Sequence, residues 1–177
     1  MKIHIDDIPL EGLNFDLDGT SREVRSAVTA LDLDTETTAV HFEVHLRVSG
    51  RVVEVSGRMA GHLYLPCARC LEGVTHPIDD PFRFFLRSEL EEPVPEDGEV
   101  ELTPEALEYG FLDGDEIDLS GLLEEQLALA MPSKALCRSD CRGICQGCGA
   151  DLNREPCRCE GTSIDPRWEV LRSLKPH

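Results

Sequence analysis

The sequence predicts an α+β fold that is mainly antiparallel β-structure, either a curved sheet or a partly closed barrel, with a packing helix and a cysteine-rich C-terminal segment. Apolar and polar residues alternate over long stretches of the first half, as in strands with one buried face. One strongly helical repeat follows, and the eight cysteines fall into four close pairs. At 177 residues, the chain is long enough for one domain with a buried core and a small appendage.

The clearest strands lie between residues 40 and 65. Apolar and polar side chains alternate over residues 40–48, and Ser49-Gly50 then provides a turn. The alternation resumes over residues 53–65, with Gly57 and Gly61 in register with the apolar positions. Because glycine weakens a strand, these two glycines predict bulges or a close approach of neighbouring backbone.

Weaker patterns flank this pair of strands. An earlier strand is predicted by the alternating residues Ala27, Thr29, Leu31 and Leu33. A later strand is predicted after Pro81 by Phe82, Phe84 and Leu86. From Glu89 to Asp115 prolines and acids interrupt the pattern, which predicts a long loop with one short helix after Thr103-Pro104.

Two further helices are predicted. Helical spacing is shown by Leu119, Leu122, Leu123, Leu127 and Ala130. Asp118 is suited to cap this helix and Pro132 to end it, and we expect it to pack across the sheet. A short last helix is predicted from Asp165 as cap, Pro166 in the first turn and the apolar face of Trp168, Leu171 and Leu174.

The charge of the chain is strongly negative and unevenly placed. The formal net charge is −18, and residues 88–133 contain fifteen acids and no lysine or arginine. Such a surface attracts basic partners. Because it repels phosphate, it disfavours binding of nucleic acid through a broad basic face. The alternative is a merely solubilising stretch. The acids taken as the candidate partner-binding site are Glu96, Asp97, Glu99, Glu101 and Glu116.

The cysteine pairs indicate two structural zinc sites. The pairs are Cys67/Cys70, Cys137/Cys141, Cys145/Cys148 and Cys157/Cys159. Each spacing directs two thiolates to one point, and tetrahedral Zn²⁺ takes four such ligands. We expect a tight turn between Cys67 and Cys70, one face of a helical turn for Cys137 and Cys141, and permissive backbone at Gly149.

The cysteines are expected to combine into two closed sets. Site 1 contains Cys67, Cys70, Cys137 and Cys141, and site 2 contains Cys145, Cys148, Cys157 and Cys159. The pairing of Cys137/Cys141 with Cys145/Cys148 stays open as an alternative. The predicted organisation is therefore an antiparallel β domain with acidic loop and helix over residues 1–133, and a zinc-bound tail over residues 134–177 that packs on it.

The sequence indicates no enzyme, catalytic residue or small-molecule substrate. Two closed sets of four thiolates leave no open position on a metal, and no nucleophile–base pair or phosphate-binding glycine loop is present. The N-terminus carries acids where a signal peptide is apolar, and no segment reaches the length of a membrane span. We expect a cytoplasmic protein with reduced thiols; four disulfides in an exported protein are the alternative.

Several motifs together resemble the YceD family, the large ribosomal RNA subunit accumulation proteins of bacteria and plastids. They are Leu65 to Glu72, Glu116 to Leu119 with Leu129 to Pro132, Leu136 to Cys145, Cys148 to Asn153, Cys157 to Cys159, and Asp165 to Trp168 with Leu171 and Leu174. The resemblance implies a non-enzymatic role in ribosome biogenesis, through accumulation of 23S rRNA and assembly of the large subunit. It implies no catalytic residue.

The resemblance and the charge together suggest a partner. An acidic protein suits a basic ribosomal protein or assembly factor of the large-subunit precursor. Direct contact with 23S rRNA is the lesser expectation, through Arg138, Arg142, Arg154 and Arg158; the same arginines could instead balance the charge of the thiolates. Two other functions stay open: a thiol–disulfide redox protein using Cys67/Cys70, and a zinc-ribbon RNA-binding module.

Overall fold

The computed structural model describes residues 1–88, 109–112, 114–159 and 167 of the chain. The chain divides into two compact units. The sheet unit comprises Met1–Leu65 and Val74–Ala135, and the cysteine unit comprises Pro66–Gly73 and Leu136–His177. The predicted division after residue 133 stays a prediction. The predicted short helix after Thr103-Pro104 lies outside the described residues, as does the predicted last helix except for Arg167.

A five-stranded sheet forms the framework of the sheet unit. Its strands lie in the order β2 (Leu13–Leu17), β3 (Ala39–Ser49), β4 (Val52–Pro66), β5 (Gly73–Ser88) and β6 (Tyr109–Leu112). A separate two-stranded sheet pairs β1 (Lys2–His4) with β7 (Glu116–Asp118) in antiparallel fashion. With helices α1 (Arg22–Ala30) and α2 (Leu119–Ala130), these strands give an α+β fold with a curled, mostly antiparallel sheet. No helix in the described ranges is long and apolar enough to span a membrane.

The predicted hairpin at residues 40–65 is confirmed. β3 and β4 pair antiparallel without interruption from Ser49↔Val52 to Ala39↔His62. A two-residue turn at Gly50-Arg51 joins them, and Gly50 has a φ of 64°. Gly57 marks a close approach rather than a bulge, because a Cβ there would collide with the carbonyl oxygen of Glu43 and the ring of Phe82.

The prediction of a strand at Ala27–Leu33 is wrong. Residues 22–30 form α1, which buries Val24, Ala27 and Val28. The buried residues are three and four positions apart, which is helical spacing. The apparent alternation was misleading because two of its four residues, Leu31 and Leu33, lie beyond the end of the helix.

The prediction of a long loop over residues 89–115 is wrong near its C-terminal end. Tyr109–Leu112 forms β6, which pairs parallel to β5 in the register Phe85↔Tyr109. β5 contains the predicted strand at Phe82–Leu86 but begins earlier, at Gly73. Residues 89–108 lie outside the described ranges.

The predicted span and N-cap of α2 are confirmed. Asp118 is the N-cap, and its carboxylate accepts a hydrogen bond from the Ser120 amide at 3.2 Å. Leu119, Leu123 and Leu127 are fully buried on one face of the helix. They join the core formed by the apolar faces of the strands, which includes Phe42 and Leu46.

Candidate metal centres

The first cysteine group brings together thiols that are far apart in the sequence. The sulfur atoms of Cys67, Cys70, Cys137 and Cys141 all lie within 4.8 Å of one another. The Sγ of Cys67 lies 3.9 Å from that of Cys141, and the Sγ of Cys70 lies 3.6 Å from that of Cys137. Cys67 and Cys141 are buried.

The second cysteine group is formed locally and is more exposed. The sulfur atoms of Cys145, Cys148, Cys157 and Cys159 lie within the same limit of 4.8 Å. The Sγ of Cys145 lies 3.4 Å from that of Cys157 and 3.7 Å from that of Cys159. Cys148 and Cys157 are 4.0 Å apart at their sulfurs.

These distances fit a tetrahedral metal ion. Four sulfurs at the usual Zn–S distance of about 2.3 Å are separated by about 3.8 Å, close to the spacings in both groups. A disulfide would require about 2.05 Å, and all eight cysteines are free. The two groups have the membership that the spacing predicts, and either group could hold a metal ion.

Two matching turns present the CxxC thiols. In the first group, the Cys67 amide donates to the Glu72 carbonyl at 2.8 Å, and the Leu71 amide donates to the Cys67 carbonyl at 3.0 Å. In the second, the Cys145 amide donates to the Ala150 carbonyl at 2.8 Å, and the Gly149 amide donates to the Cys145 carbonyl at 2.9 Å. Each turn thereby directs its two sulfurs to the same point.

The other two pairs are held differently. The prediction that Cys137 and Cys141 lie on one face of a helical turn is wrong. A turn closed by the Cys141 amide and the Arg138 carbonyl, at 3.2 Å, joins them instead. This shorter turn brings the two sulfurs together without continuing into a helix. In the second group, the Cys159 amide donates to the Cys157 sulfur at 3.3 Å.

The electrostatics of each group favour a bound cation. A hydrogen bond from the Cys137 backbone amide lowers the pKa of Cys67 to about 6, and the Cys148 amide does the same for Cys145, to about 6. Desolvation raises the pKa of Cys137 to about 12, and the Cys157 thiol raises the pKa of Cys159 to about 12. Four adjacent thiols therefore resist full ionisation, and a divalent ion supplies the missing positive charge.

Two supporting residues were not predicted from the sequence. The Arg69 guanidinium donates to the Cys141 carbonyl at 2.6 Å, and its own carbonyl accepts from the Ile144 amide at 3.0 Å. The Asn153 side-chain amide donates to the Cys141 sulfur at 3.5 Å. No spacing rule identifies such residues, because their contacts depend on how separate segments cross.

The arginines predicted to touch RNA mostly pair with acids of the same unit. Arg138 lies 3.4 Å from Asp140, Arg154 lies 3.2 Å from Asp151, and Arg158 lies 2.5 Å from Glu155. The backbone amide of Arg142 donates to Asn153 at 2.8 Å, and the Arg142 side chain is exposed.

Of the predicted partner-binding acids, one is described. The Glu116 carboxylate in β7 accepts a hydrogen bond from the Lys2 ammonium at 2.8 Å. That ion pair lowers the pKa of Glu116. Glu96, Asp97, Glu99 and Glu101 lie outside the described residues.

Comparison with known proteins places these features in a family. The family described as "Large ribosomal RNA subunit accumulation protein YceD" matches residues 55–175. An uncharacterized protein of Mycobacterium tuberculosis is 33% identical over 119 residues, which cover 67% of this chain and 54% of that protein. The chloroplastic "Large ribosomal RNA subunit accumulation protein YCED homolog 1" of Arabidopsis thaliana is 25% identical over 167 residues, covering 78% of this chain and 49% of that protein.

The coverage is partial. The chain spans about half the length of the curated relatives it matches. No solved structure matches the chain.

Proposed function

Because the chain belongs to the YceD family, we propose that it is a non-enzymatic factor of ribosome biogenesis that supports 23S rRNA accumulation and large-subunit assembly. The observation that carries this proposal is the family match over residues 55–175, which contain all eight cysteines and the capped helix α2. The name of the Arabidopsis relative, which refers to large ribosomal RNA subunit accumulation, agrees with this assignment.

The proposal includes two structural zinc ions, one in each cysteine group. Thiolate sulfur favours Zn²⁺ among common intracellular divalent ions, and the sulfur spacings suit tetrahedral coordination. In the cysteine unit the buried hydrophobic residues within the described ranges are Cys67, Cys141 and Ala150, so packing alone contributes little. Each ion would stabilise this unit by roughly 10 kcal/mol in apparent binding free energy at neutral pH.

The metal ions are proposed to serve structure rather than chemistry. Four thiolates complete the coordination of a zinc ion and leave no position for water or substrate. The redox alternative is disfavoured by local structure: Cys67 follows the end of β4 in a tight turn, not at the start of a helix, and its sulfur lies within 4.8 Å of three other cysteine sulfurs in a group that could hold a metal ion.

The proposed partner is a basic ribosomal protein or assembly factor of the large-subunit precursor. The supporting observation is the concentration of fifteen acids within residues 88–133 of a chain with net charge −18. Direct RNA binding through the tail is the second candidate. It is weakened because Arg138, Arg154 and Arg158 already pair with Asp140, Asp151 and Glu155. The proposed location is the cytoplasm, where ribosomes are assembled and thiols stay reduced.

A deletion strain tests the biological role. We expect loss of large subunits relative to small subunits in a sedimentation profile, with reduced 23S rRNA, and recovery of both when the chain is returned. An unchanged profile and unchanged 23S rRNA would remove the assignment to large-subunit biogenesis.

A capture experiment at graded salt tests the partner. The neutralised variant carries Glu96→Gln, Asp97→Asn, Glu99→Gln and Glu101→Gln. The matched control carries Asp7→Asn, Glu11→Gln, Glu36→Gln and Asp80→Asn, which remove four exposed acids elsewhere. We expect only the first variant to lose a basic ribosomal protein or assembly factor. Capture of rRNA from which ribosomal proteins have been removed would favour the RNA-binding candidate instead.

A further inference from the structure

A short hairpin connects the two cysteine groups within the cysteine unit. Ile144 and Asp151 form an antiparallel bridge, and the Leu152 amide donates to the Gly143 carbonyl at 2.9 Å. The turn of this hairpin holds Cys145 and Cys148 of the second group. Its strands therefore lead directly from the second group back toward Cys141 of the first.

Asn153 lies at the open end of the hairpin and contacts the first group. Its Nδ2 donates to the Cys141 sulfur at 3.5 Å and to the Asp151 carboxylate at 2.8 Å. Its Oδ1 accepts from the Arg142 backbone amide at 2.8 Å and from the Arg138 guanidinium at 2.7 Å. Both amide hydrogens and the amide oxygen are thus used, which fixes the orientation of the side chain.

The contact from Asn153 to Cys141 has the chemistry of a supporting bond to a metal ligand. Cys141 is only 2% exposed, so water cannot readily replace a donor to its sulfur. An N–H donor stabilises thiolate charge and holds the sulfur in position, and loss of such a partner typically weakens metal binding by about 10- to 100-fold. Asn153 nevertheless lies in the loop between Cys148 and Cys157, both of which belong to the second group.

We propose that the two cysteine groups bind metal cooperatively and that Asn153 is the positioning residue that couples them. Metal in the second group closes the loop from Cys145 to Cys159 and orders the hairpin. The ordered hairpin places the Asn153 amide against Cys141 and tightens the first group. Because coupling between two binding sites is reciprocal, metal in the first group tightens the second by the same factor.

This inference rests on the proposed metal sites, and its test uses the full chain with Cd²⁺ as the probe. The ¹¹³Cd resonances report each group separately while a chelator competes for the metal. Affinity of the first group is measured with the second group intact and with Cys157→Ser/Cys159→Ser. Both measurements are repeated in the Asn153→Ala background and with the control Glu155→Gln, which removes an exposed carboxylate paired with Arg158 and touching no sulfur.

With Asn153 present, disabling the second group is expected to weaken the first by about 10- to 100-fold. In the Asn153→Ala background the first group is already weakened, and disabling the second group has little further effect. Glu155→Gln leaves the full coupling in place. Amide exchange at Leu152 is the check that the hairpin persists in the Asn153→Ala protein, and retained protection there would separate uncoupling from unfolding. The reciprocal variant Cys67→Ser/Cys70→Ser is expected to weaken the second group by a similar factor.

If two ions bind and the affinity of each group is unchanged when the other group is disabled, the coupling is overturned while the metal sites stand. Full coupling that persists in the Asn153→Ala protein would overturn the role of Asn153. Fewer than two tightly held ions in the unmodified chain would overturn the metal sites and the coupling together, so the two failures are distinguishable.

Discussion

Leu71 and Gly149 occupy the same position in two matching turns, immediately after the second cysteine of each CxxC pair. Their φ angles are 64° and 73°, and their amides donate to the carbonyls of Cys67 and Cys145 at 3.0 and 2.9 Å. Glycine adopts such backbone readily, whereas an L-residue pays a steric penalty of about 1–2 kcal/mol. The first turn therefore holds a strained leucine where the second holds a relaxed glycine.

The change Leu71→Gly is expected to strengthen metal binding at the first group. Leu71 is 69% exposed, so removal of its side chain loses little buried area. The relief of strain exceeds the entropic cost of glycine by up to about 1 kcal/mol, which corresponds to about a fivefold gain in affinity. Chelator competition measures the change.

The reverse change, Gly149→Ala, supplies the matched comparison. It is expected to weaken the second group by up to about 1 kcal/mol, because no other atom lies near the new Cβ and the strain at a φ of 73° exceeds the entropic benefit of replacing glycine. Gly19→Ala, at a position with open space and no positive φ, serves as the neutral control. Weaker metal binding in the Leu71→Gly protein would show that the leucine side chain contributes more than its strain removes.

Removal of metal is expected to unfold the cysteine unit while the sheet unit persists. The sheet unit has a continuous apolar core that includes Phe42, Leu46 and Leu123, whereas the described residues of the cysteine unit bury almost no apolar side chains. With a strong chelator, the amides of Cys145 and Leu152 should lose protection from hydrogen exchange, and amides of β3 should keep it. Protection of both sets after complete metal removal would contradict a structural role for the ions.

The elements that the sequence predicted correctly are those with strong signals in their own residues. The hairpin of β3 and β4 has long alternation and a two-residue turn, and α2 has both a cap at Asp118 and a stop at Pro132. α1 was missed because it has nine residues, and Leu31 and Leu33 beyond its end extended a false alternation. β6 was missed because four residues carry little periodicity and their pairing with β5 is long-range.

The same distinction applies to the metal centres. Cysteine spacing identified the four chelating pairs and favoured the grouping that the structure shows, while the pairing of Cys137/Cys141 with Cys145/Cys148 stayed open until the fold was known. The roles of Arg69 and Asn153 could not be predicted, because each residue is distant from Cys141 in the sequence and contacts it only in the folded chain. Supporting contacts of this kind carry no characteristic spacing.

Gly147→Ala is expected to weaken metal binding at the second group. A Cβ at this position would lie 2.7 Å from the Cys159 sulfur, well inside normal contact distance. Displacement of the sulfur, or of the turn that holds Cys145 and Cys148, should cost about 1–3 kcal/mol, which corresponds to roughly 5- to 150-fold in affinity. Gln146→Ala, at the exposed neighbouring position, is the control for the turn itself. Equal affinities in the two variants would mean that Cys159 does not need its present position to bind metal.

Gly57→Ala is expected to destabilise the sheet unit by about 1–3 kcal/mol. The new methyl group would collide with the Glu43 carbonyl in β3 and with the Phe82 ring in β5. The ring can move, but the carbonyl belongs to a continuous ladder between β3 and β4 and cannot move without breaking it. Adding Phe82→Leu to Gly57→Ala should therefore recover only part of the loss, measured as the free energy of unfolding in urea. Gly19→Ala is the control, and full recovery by Phe82→Leu would show that the ring, rather than the backbone, requires glycine at this position.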